Sequence, residues 1–244
     1  MTRLAALPFY AILALLLGTG TAAAQALTLD LGEGSELTSR VVQFIALLTV
    51  LSLAPSILVM VTSFTRIVIV LSLMRSALGV QQTPPNTVII SLALFLTFFV
   101  MAPTMEEVYQ NGLLPLINQE IDEAEAFNRS VKPVHAFMTN HVREEDLSLF
   151  VEMAGGERPA TLEDTPLHVL VPAFVISELR RAFEIGFLIF IPFIVIDMVV
   201  ASVLMSMGMM MLPPIMISLP FKLIFFVLVD GWNLISASLV KSFG

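Results

Sequence analysis

Four long apolar stretches constrain this chain more than any other feature of its sequence. They cover residues 41–61, 87–103, 185–212 and 215–229. Because a helix rises about 1.5 Å per residue, a hydrocarbon core of about 30 Å needs about 20 apolar residues to be crossed. Two of the stretches are short for this task and one is long. The pattern predicts an all-α membrane protein with four apolar helical segments.

Composition supports the same fold class. Only 13% of the residues are charged and 57% are apolar, whereas about a quarter of the residues in soluble domains are charged. The formal net charge of −8 argues against nucleic acid as a partner, because no basic stripe is available to neutralise phosphates. The sequence has no cysteine, so disulfides and thiolate chemistry are excluded.

The first 26 residues are organised like a cleavable signal peptide. Arg3 supplies a positive charge, residues 4–17 are apolar, and residues 22–26 contain overlapping small-x-small cleavage sites. The alternative is a short first membrane helix, but the apolar run is too short for a comfortable span. We therefore expect the mature chain to begin with an N-terminal segment at residues 27–40.

The charge distribution predicts an orientation in the membrane. Residues 62–86 carry Arg66 and Arg75 and no acidic residue, so the positive-inside rule places them toward the cytoplasm. Most acidic residues lie between positions 104 and 184, and we expect this segment on the outer side.

The acidic segment also carries apolar residues at near-helical spacings. Phe137 and Phe150 are among them. This spacing predicts amphipathic helices, whose apolar faces pack either within the chain or against another subunit.

The residue patterns of enzymes are missing from this sequence. His135, His141 and His168 do not have a metal-ligand spacing. The signatures of zinc proteases, serine hydrolases and phosphate-binding loops do not occur. We therefore expect no catalytic residues, no metal and no cofactor.

Two charged residues lie deep inside apolar stretches. They are Asp197 and Lys222, and an unpaired charge at such a position costs several kcal/mol. They could mark a proton or ion path, as in a secondary transporter, or they could pair structurally between helices or subunits. A single acid and a single amine at this depth favour structural pairing.

A second group of charges precedes the third apolar stretch. Glu178 lies three residues before Arg181, and Arg180 lies four residues before Glu184. Both spacings bring opposite charges together on a helix surface.

Methionines are concentrated at the end of the third apolar stretch and the start of the fourth. Flexible, polarizable thioethers conform to irregular surfaces, so they could seal a pore or simply fill gaps in a membrane core. The residues are Met205, Met207, Met209, Met210, Met211 and Met216.

Two blocks of sequence carry a family resemblance. Residues 60–103 and 174–232 resemble, in order, the two signature regions of the FliP family of flagellar biosynthetic proteins. The irregular string SMGMMMLPP at residues 206–214 is the most specific part of the match.

The resemblance implies an all-helical subunit of the type III export gate in the bacterial inner membrane, at the flagellar basal body. Such a subunit forms bent hairpins and assembles as a homopentamer with FliQ- and FliR-like subunits and other export components. The resemblance further implies that unfolded axial proteins pass through the channel. The chain would contain a first membrane hairpin at 41–103, an acidic extracytoplasmic segment at 104–173 and a second hairpin at 174–244.

The resemblance also implies roles for individual residues. Met209, Met210 and Met211 match the family's methionine gasket, with Met205 and Met207 as supporting members. Subunit contact or buried charge pairing is expected at Phe137, Phe150, Glu178, Arg180, Arg181, Glu184, Asp197 and Lys222. The rival functions are a secondary transporter that uses Asp197 and Lys222, and a membrane scaffold with no conducting role.

Overall fold

The computed structural model describes residues 35–80, 82–155, 161–209 and 212–244. Every regular element in these ranges is helical, which confirms the predicted fold class. The expected signal peptide lies outside the described residues. The helices are α1 (Ser35–Met60), α2 (Phe64–Ala77), α3 (Asn86–Val108), α4 (Leu114–Ile117), α5 (Glu123–His141), α6 (Glu144–Met153), α7 (Leu167–Ser206), α8 (Pro214–Leu228) and α9 (Gly231–Lys241), with a π-helical turn at Tyr109–Leu113 and a 3₁₀ turn at Leu162–Asp164.

Three helical segments of the described chain are long and apolar enough to cross a membrane. They are Arg40–Met60, Asn86–Ile117 and Leu167–Ser206. Helices α8 and α9 together form a fourth candidate span, which is bent by 62°. The four apolar stretches of the sequence therefore correspond to four helical segments, and the last is a broken one.

The chain divides into two compact units. The first ends at Ser52 and the second begins at Leu53, so the boundary falls within α1. In the first unit, the described side chains from residue 40 onward are exposed. An apolar helix of this kind is stable only when lipid or another protein surface covers it.

Helix α2 lies at the centre of the second unit. Ile67, Val70, Leu71 and Met74 are completely buried, at the spacing that brings residues onto one face of a helix. They join a core with residues of α3, α7, α8 and α9. The sequence-based expectation of a cytoplasmic connection at 62–86 did not include this helix.

The acidic segment forms a second core. Phe137 and Met138 on α5 pack with Leu147 on α6 and with Phe174 on α7. The apolar faces of the two amphipathic helices are therefore partly covered within the chain, while Phe127 on α5 and Met153 on α6 are exposed. Their existence confirms the predicted helical segment between the two membrane halves.

Helix α7 begins well before the apolar stretch that predicts it. It starts at Leu167 and runs to Ser206, so the charged residues between 178 and 184 lie on the same helix as the membrane stretch. Pro172 and Pro192 lie inside it without ending it. This long helix connects the second core to the first.

At the bend between α8 and α9, the backbone of Gly231 lies close against the ring of Phe226. Asp230 has a left-handed backbone with a φ of 49°, and the next residue is Gly231. A Cβ added to Gly231 would lie 2.2 Å from Cε2 of Phe226. The Phe226 ring is buried and meets Trp232 edge-on at 5.6 Å, so a Cβ at position 231 would force the ring out of this contact.

We expect the substitution Gly231→Ala to destabilise this corner by about 1–3 kcal/mol, the usual cost of overpacking. Trp232 is the only tryptophan of the chain, so its fluorescence reports on the corner during thermal unfolding in detergent. The exposed Ser238→Ala is the matched control on α9. A Gly231→Ala protein that unfolds at the wild-type temperature would contradict the assigned contact.

Candidate functional site

The methionine-rich segment begins at a well-defined helix end. The N–H of Gly208 donates to the carbonyl of Met205 at 3.1 Å, and the N–H of Met209 donates to the carbonyl of Leu204 at 3.0 Å. Gly208 has a φ of 74°. These are the two bonds and the left-handed glycine of a Schellman motif. The first half of the turn is therefore fixed by α7.

Most of the described methionine side chains in and beside this turn are exposed. Met205 and Met207 are 57% and 65% exposed, Met216 is 72% exposed, and Met209 is half-buried. Met210 and Met211 lie outside the described residues. The turn therefore presents thioethers that make little contact with the rest of the same chain.

An apolar groove lies directly beneath the turn. It has a volume of about 460 Å³ and runs between α7 and α8, where Val203, Leu204, Ile217 and Phe221 are among its walls. The groove extends along α7 from Val195 to Leu204.

The base of this hairpin is held by a charge cluster. The Nζ of Lys222 lies 2.7 Å from Oδ2 of Asp197 and also donates to the carbonyl of Ala77 at 3.3 Å. The hydroxyl of Ser218 donates to Oδ1 of Asp197 at 2.6 Å. Lys222 is buried and Asp197 is half-buried. The cluster therefore joins α7, α8 and the last residue of α2.

A second charge cluster lies at the other end of α2. The Nε of Arg66 donates to Oε2 of Glu178 at 2.8 Å, and its Nη2 pairs with Oε1 of the same carboxylate. The Nη1 of Arg66 donates to the carbonyl and the hydroxyl of Ser242 at 3.0 and 2.9 Å. The Arg66 Cζ lies 3.7 Å from the centre of the Phe243 ring. Arg66 and Glu178 are both completely buried.

The electrostatics of this second cluster explain its geometry. Burial lowers the pKa of Arg66, and the hydrogen bonds and charge of Glu178 oppose that effect. The guanidinium stays charged because its ordinary pKa is far above neutral. A bidentate carboxylate, a carbonyl, a hydroxyl and an aromatic face replace the water that such an ion loses on burial.

The spacing in the sequence predicts a pair between Glu178 and Arg181, but the structure does not form it. Glu178 faces α2 instead, where Arg66 offers two parallel N–H groups and full burial. An i,i+3 pair on the helix surface is weak by comparison. Arg180 and Glu184 do form the predicted surface pair, at 3.2 Å.

The Arg66–Glu178 pair also changes the interpretation of the charge pattern. Arg66 belongs to the segment expected in the cytoplasm, and Glu178 belongs to the acidic segment expected outside. Because the two side chains are in contact and buried, these segments meet at one depth. Neither Arg66 nor Glu178 therefore helps to assign its segment to the cytoplasmic or the outer side of the membrane.

The two aromatic residues expected at subunit contacts have intrachain neighbours. Phe137 is buried and its ring lies 6.0 Å from that of Phe174 and 6.1 Å from that of Phe243. Phe150 is half-buried against the same cluster. Phe137 and Glu178 therefore have contacts within the chain, while subunit contacts of the two phenylalanines stay a prediction.

Sequence reasoning missed the partners that complete the second cluster. Arg66 lies in an apolar run, FTRIVIVLSLM, and the test applied to Asp197 would have identified it as a buried charge. Ser242 and Phe243 carry no comparable signal. The described residues contain no group of three or more side chains suited to holding a metal ion.

Comparison with known proteins decides the family. The model of the FliP family matches residues 47–239. The chain belongs to the FliP family. The matched region includes both ion pairs and the methionine-rich turn, and it ends before Ser242 and Phe243.

FliP family members from distant bacteria are similar to this chain over most of its length. The flagellar biosynthetic protein FliP of Caulobacter vibrioides is 63% identical over 91% of this chain and 83% of its own length. The proteins of the same name from Bacillus subtilis and Rhizobium meliloti are 58% and 50% identical, over 85% and 95% of this chain and 94% and 97% of their own lengths.

Membership of the FliP family makes the chain a membrane-embedded component of the flagellar export apparatus. This is a structural and transport role and involves no enzymatic activity. The charge clusters at the two ends of α2 therefore have a structural role, which is to hold the helices of this membrane protein together.

We expect Arg66→Ala or Glu178→Gln to destabilise the protein by about 3–5 kcal/mol, because each leaves a buried charge without its partner. Thermal unfolding and monodispersity in detergent measure the loss. Replacing both residues, with Arg66→Met and Glu178→Leu, should recover part of it.

The exposed pair gives the matched control for this prediction. Removing it with Glu184→Gln should cost about 1 kcal/mol or less. If the Glu178→Gln protein is as stable as the Glu184→Gln protein, the pair is not the structural anchor that its geometry indicates.

Proposed function

We propose that this chain is a pore-forming subunit of the flagellar type III protein export gate. In this function it passes unfolded flagellar axial proteins across the bacterial inner membrane at the flagellar basal body. The observation that carries the proposal is the exposed methionine-rich turn in a chain of the FliP family. Met209, Met210 and Met211 form the seal of the closed channel, with Met205 and Met207 supporting it.

The properties of the turn suit a seal that opens for a passing chain. The Schellman motif holds Met205 to Met209 at the end of a long helix, and an apolar groove runs along the hairpin below the turn. Thioether side chains adapt their rotamers at little cost and fill irregular gaps. Several copies around one axis would close a pore without a rigid plug.

The exposed apolar surface supports assembly with other subunits. Phe95, Phe98 and Phe99 are more than half exposed on one side of α3, as are Phe187 and Leu188 on α7. Exposed apolar surface of this extent requires lipid or protein to cover it. We assign part of it to neighbouring copies in a homopentamer, and part to FliQ- and FliR-like subunits and other export components.

The Asp197–Lys222 pair favours a pore-forming subunit over a secondary transporter as the function of this chain. Each charge has its partner within the chain, at 2.7 Å, and Ser218 satisfies the second carboxylate oxygen. A fully bonded pair that also holds the carbonyl of Ala77 suits a structural anchor. Proton or ion carriage needs groups that exchange partners.

We expect co-expression with FliQ- and FliR-like neighbours to yield a discrete hetero-oligomer with about five copies of this chain. Mass photometry or native mass spectrometry of the detergent-solubilised complex measures the copy number. A stable monomer or simple dimer in the presence of these partners would overturn the proposed assembly.

We expect the triple substitution of Met209, Met210 and Met211 by alanine to leave assembly intact and to raise small-solute permeability several-fold. The reason is that alanine removes the thioethers that fill the channel. Flux of a small dye across vesicles that contain the assembled complex measures the leak.

The matched control removes three exposed methionines elsewhere, with Met105→Ala, Met153→Ala and Met198→Ala. Vesicles that contain this control variant should leak no more dye than vesicles with the wild-type complex. A gasket variant that assembles normally and leaks no more than this control would refute the seal. Full tolerance of bulky residues at the same positions would favour a scaffold with no conducting role.

A further inference from the structure

A second apolar groove separates α7 from α9. We call it the α7–α9 groove. Its volume is about 480 Å³. One wall is formed by residues of α7 from Ile185 to Phe193, and the facing wall by residues from Gly231 to Ser242. Both helices belong to candidate membrane spans, so the groove lies within the membrane-embedded part of the chain.

The length of the α7–α9 groove matches the depth of one membrane leaflet. From Gly231 to Ser242 the chain rises about 17 Å along the helix axis. Half of a hydrocarbon core of about 30 Å is about 15 Å. Ile185 is the first residue of the third apolar stretch, so the end of the groove at Ile185 and Ser242 lies at the membrane boundary. The end at Gly231 lies near the middle of the membrane.

The width of the groove suits an acyl chain better than a helix. A volume of about 480 Å³ spread over about 17 Å leaves a mean cross-section of about 30 Å². A helix that is about 10 Å across needs roughly 80 Å². A helix of a neighbouring subunit would therefore cover the groove without entering it, whereas a single acyl chain is thin enough to lie inside it.

An unpaired cation lies at the boundary end of the groove. Arg181 is on α7 one turn before Ile185, on the same face of the helix. It is half-buried, and its side chain makes no ion pair or hydrogen bond with any residue that the structure describes. The two carboxylates at helical spacing from it, Glu178 and Glu184, are bound by other arginines. Arg181 is therefore available to an anion from outside the chain.

This end of the groove carries an excess of positive charge. Lys241 is exposed on the last turn of α9, seven residues after the groove residue Leu234 and hence on the same face of its helix. Arg66 lies close enough to be affected by the charge of Arg181, and its own carboxylate neutralises only one of these two cations. A bound anion would offset the remaining charge.

We propose that the α7–α9 groove binds an anionic phospholipid. One acyl chain lies along the groove toward Gly231, and the guanidinium of Arg181 binds the phosphate, with Lys241 as a second positive charge. A guanidinium presents paired N–H donors to phosphate oxygens, and basic pockets between membrane helices bind anionic headgroups. The lipid bridges α7 and α9, and the methionine-rich turn takes no part in the site.

Trp232 allows this site to be tested in the intact chain. It is the only tryptophan, it follows Gly231 at the deep end of the groove, and it meets the groove residue Phe226 edge-on at 5.6 Å. Bromine atoms quench tryptophan fluorescence on close contact. The full chain in a nonionic detergent is therefore titrated with phosphatidylglycerol that is brominated on its acyl chains, and in parallel with phosphatidylcholine that carries the same chains.

We expect phosphatidylglycerol to reach half-maximal quenching at an about fivefold lower ratio of lipid to detergent than phosphatidylcholine. This is the preference that one basic residue gives to an anionic lipid. Arg181→Gln should abolish the difference between the two lipids, and Arg181→Lys, which keeps the charge, should retain it. Arg180→Gln is the matched control, because Arg180 is adjacent, exposed and paired with Glu184; it should also retain the difference.

A second variant tests the groove itself. Ser238 is exposed and lines the groove, so Ser238→Phe fills the space without disturbing either core. This variant should need more of either lipid to reach the same quenching. Circular dichroism and thermal unfolding check that all variants stay folded.

Four results would overturn the lipid site. They are equal quenching of the wild-type chain by the two lipids, a preference that survives Arg181→Gln, a preference that Arg180→Gln removes, and unchanged quenching in Ser238→Phe. If Ser238→Phe leaves quenching unchanged and instead dissociates complexes between copies of the chain in size-exclusion chromatography, a neighbouring helix covers the groove and the proposed occupant is wrong.

Discussion

The buried guanidinium of Arg66 is the constraint on which the second unit of the chain depends. An ion of this kind is tolerated only where every donor finds an acceptor. Glu178 on α7 supplies two acceptors, Ser242 after α9 supplies two more, and Phe243 covers the flat face. Elements that are far apart in the sequence therefore meet at one end of α2, and the cost of separating them is high.

The other end of α2 carries the second charge cluster. The carbonyl of Ala77 accepts from Lys222, which pairs with Asp197, about 16 Å along the helix axis from Arg66 at the rise of an α-helix. The central helix is thus bonded to α7 at one end and to the α7–α8 hairpin at the other. This arrangement holds the base of the hairpin while its methionine-rich tip stays outside both cores.

The sequence predicted those parts of the structure that depend on residues close together along the chain. Apolar stretches identified four membrane segments because hydropathy depends on composition alone. The amphipathic spacing around Phe137 identified α5 because the pattern repeats within one helix. Helix α2 was missed because its apolar run is short and is flanked by Arg66 and Arg75, which charge counting assigns to a loop. The partner of Glu178 was misassigned for a related reason, since Arg181 is near in sequence and Arg66 is near only in space.

The sequence by itself determined that this is an all-helical membrane protein with four apolar segments, and its two signature blocks, with the irregular methionine motif in the second, indicated the family. Composition and local pattern suffice for these conclusions, because they depend on short stretches of chain. Tertiary structure alone decided which charges pair, which aromatic residues are buried, and that Arg181 lies unpaired at the end of an apolar groove. These contacts join residues that are distant along the chain, and the energy of a buried charge or hydrogen bond depends on the geometry that brings its partners together.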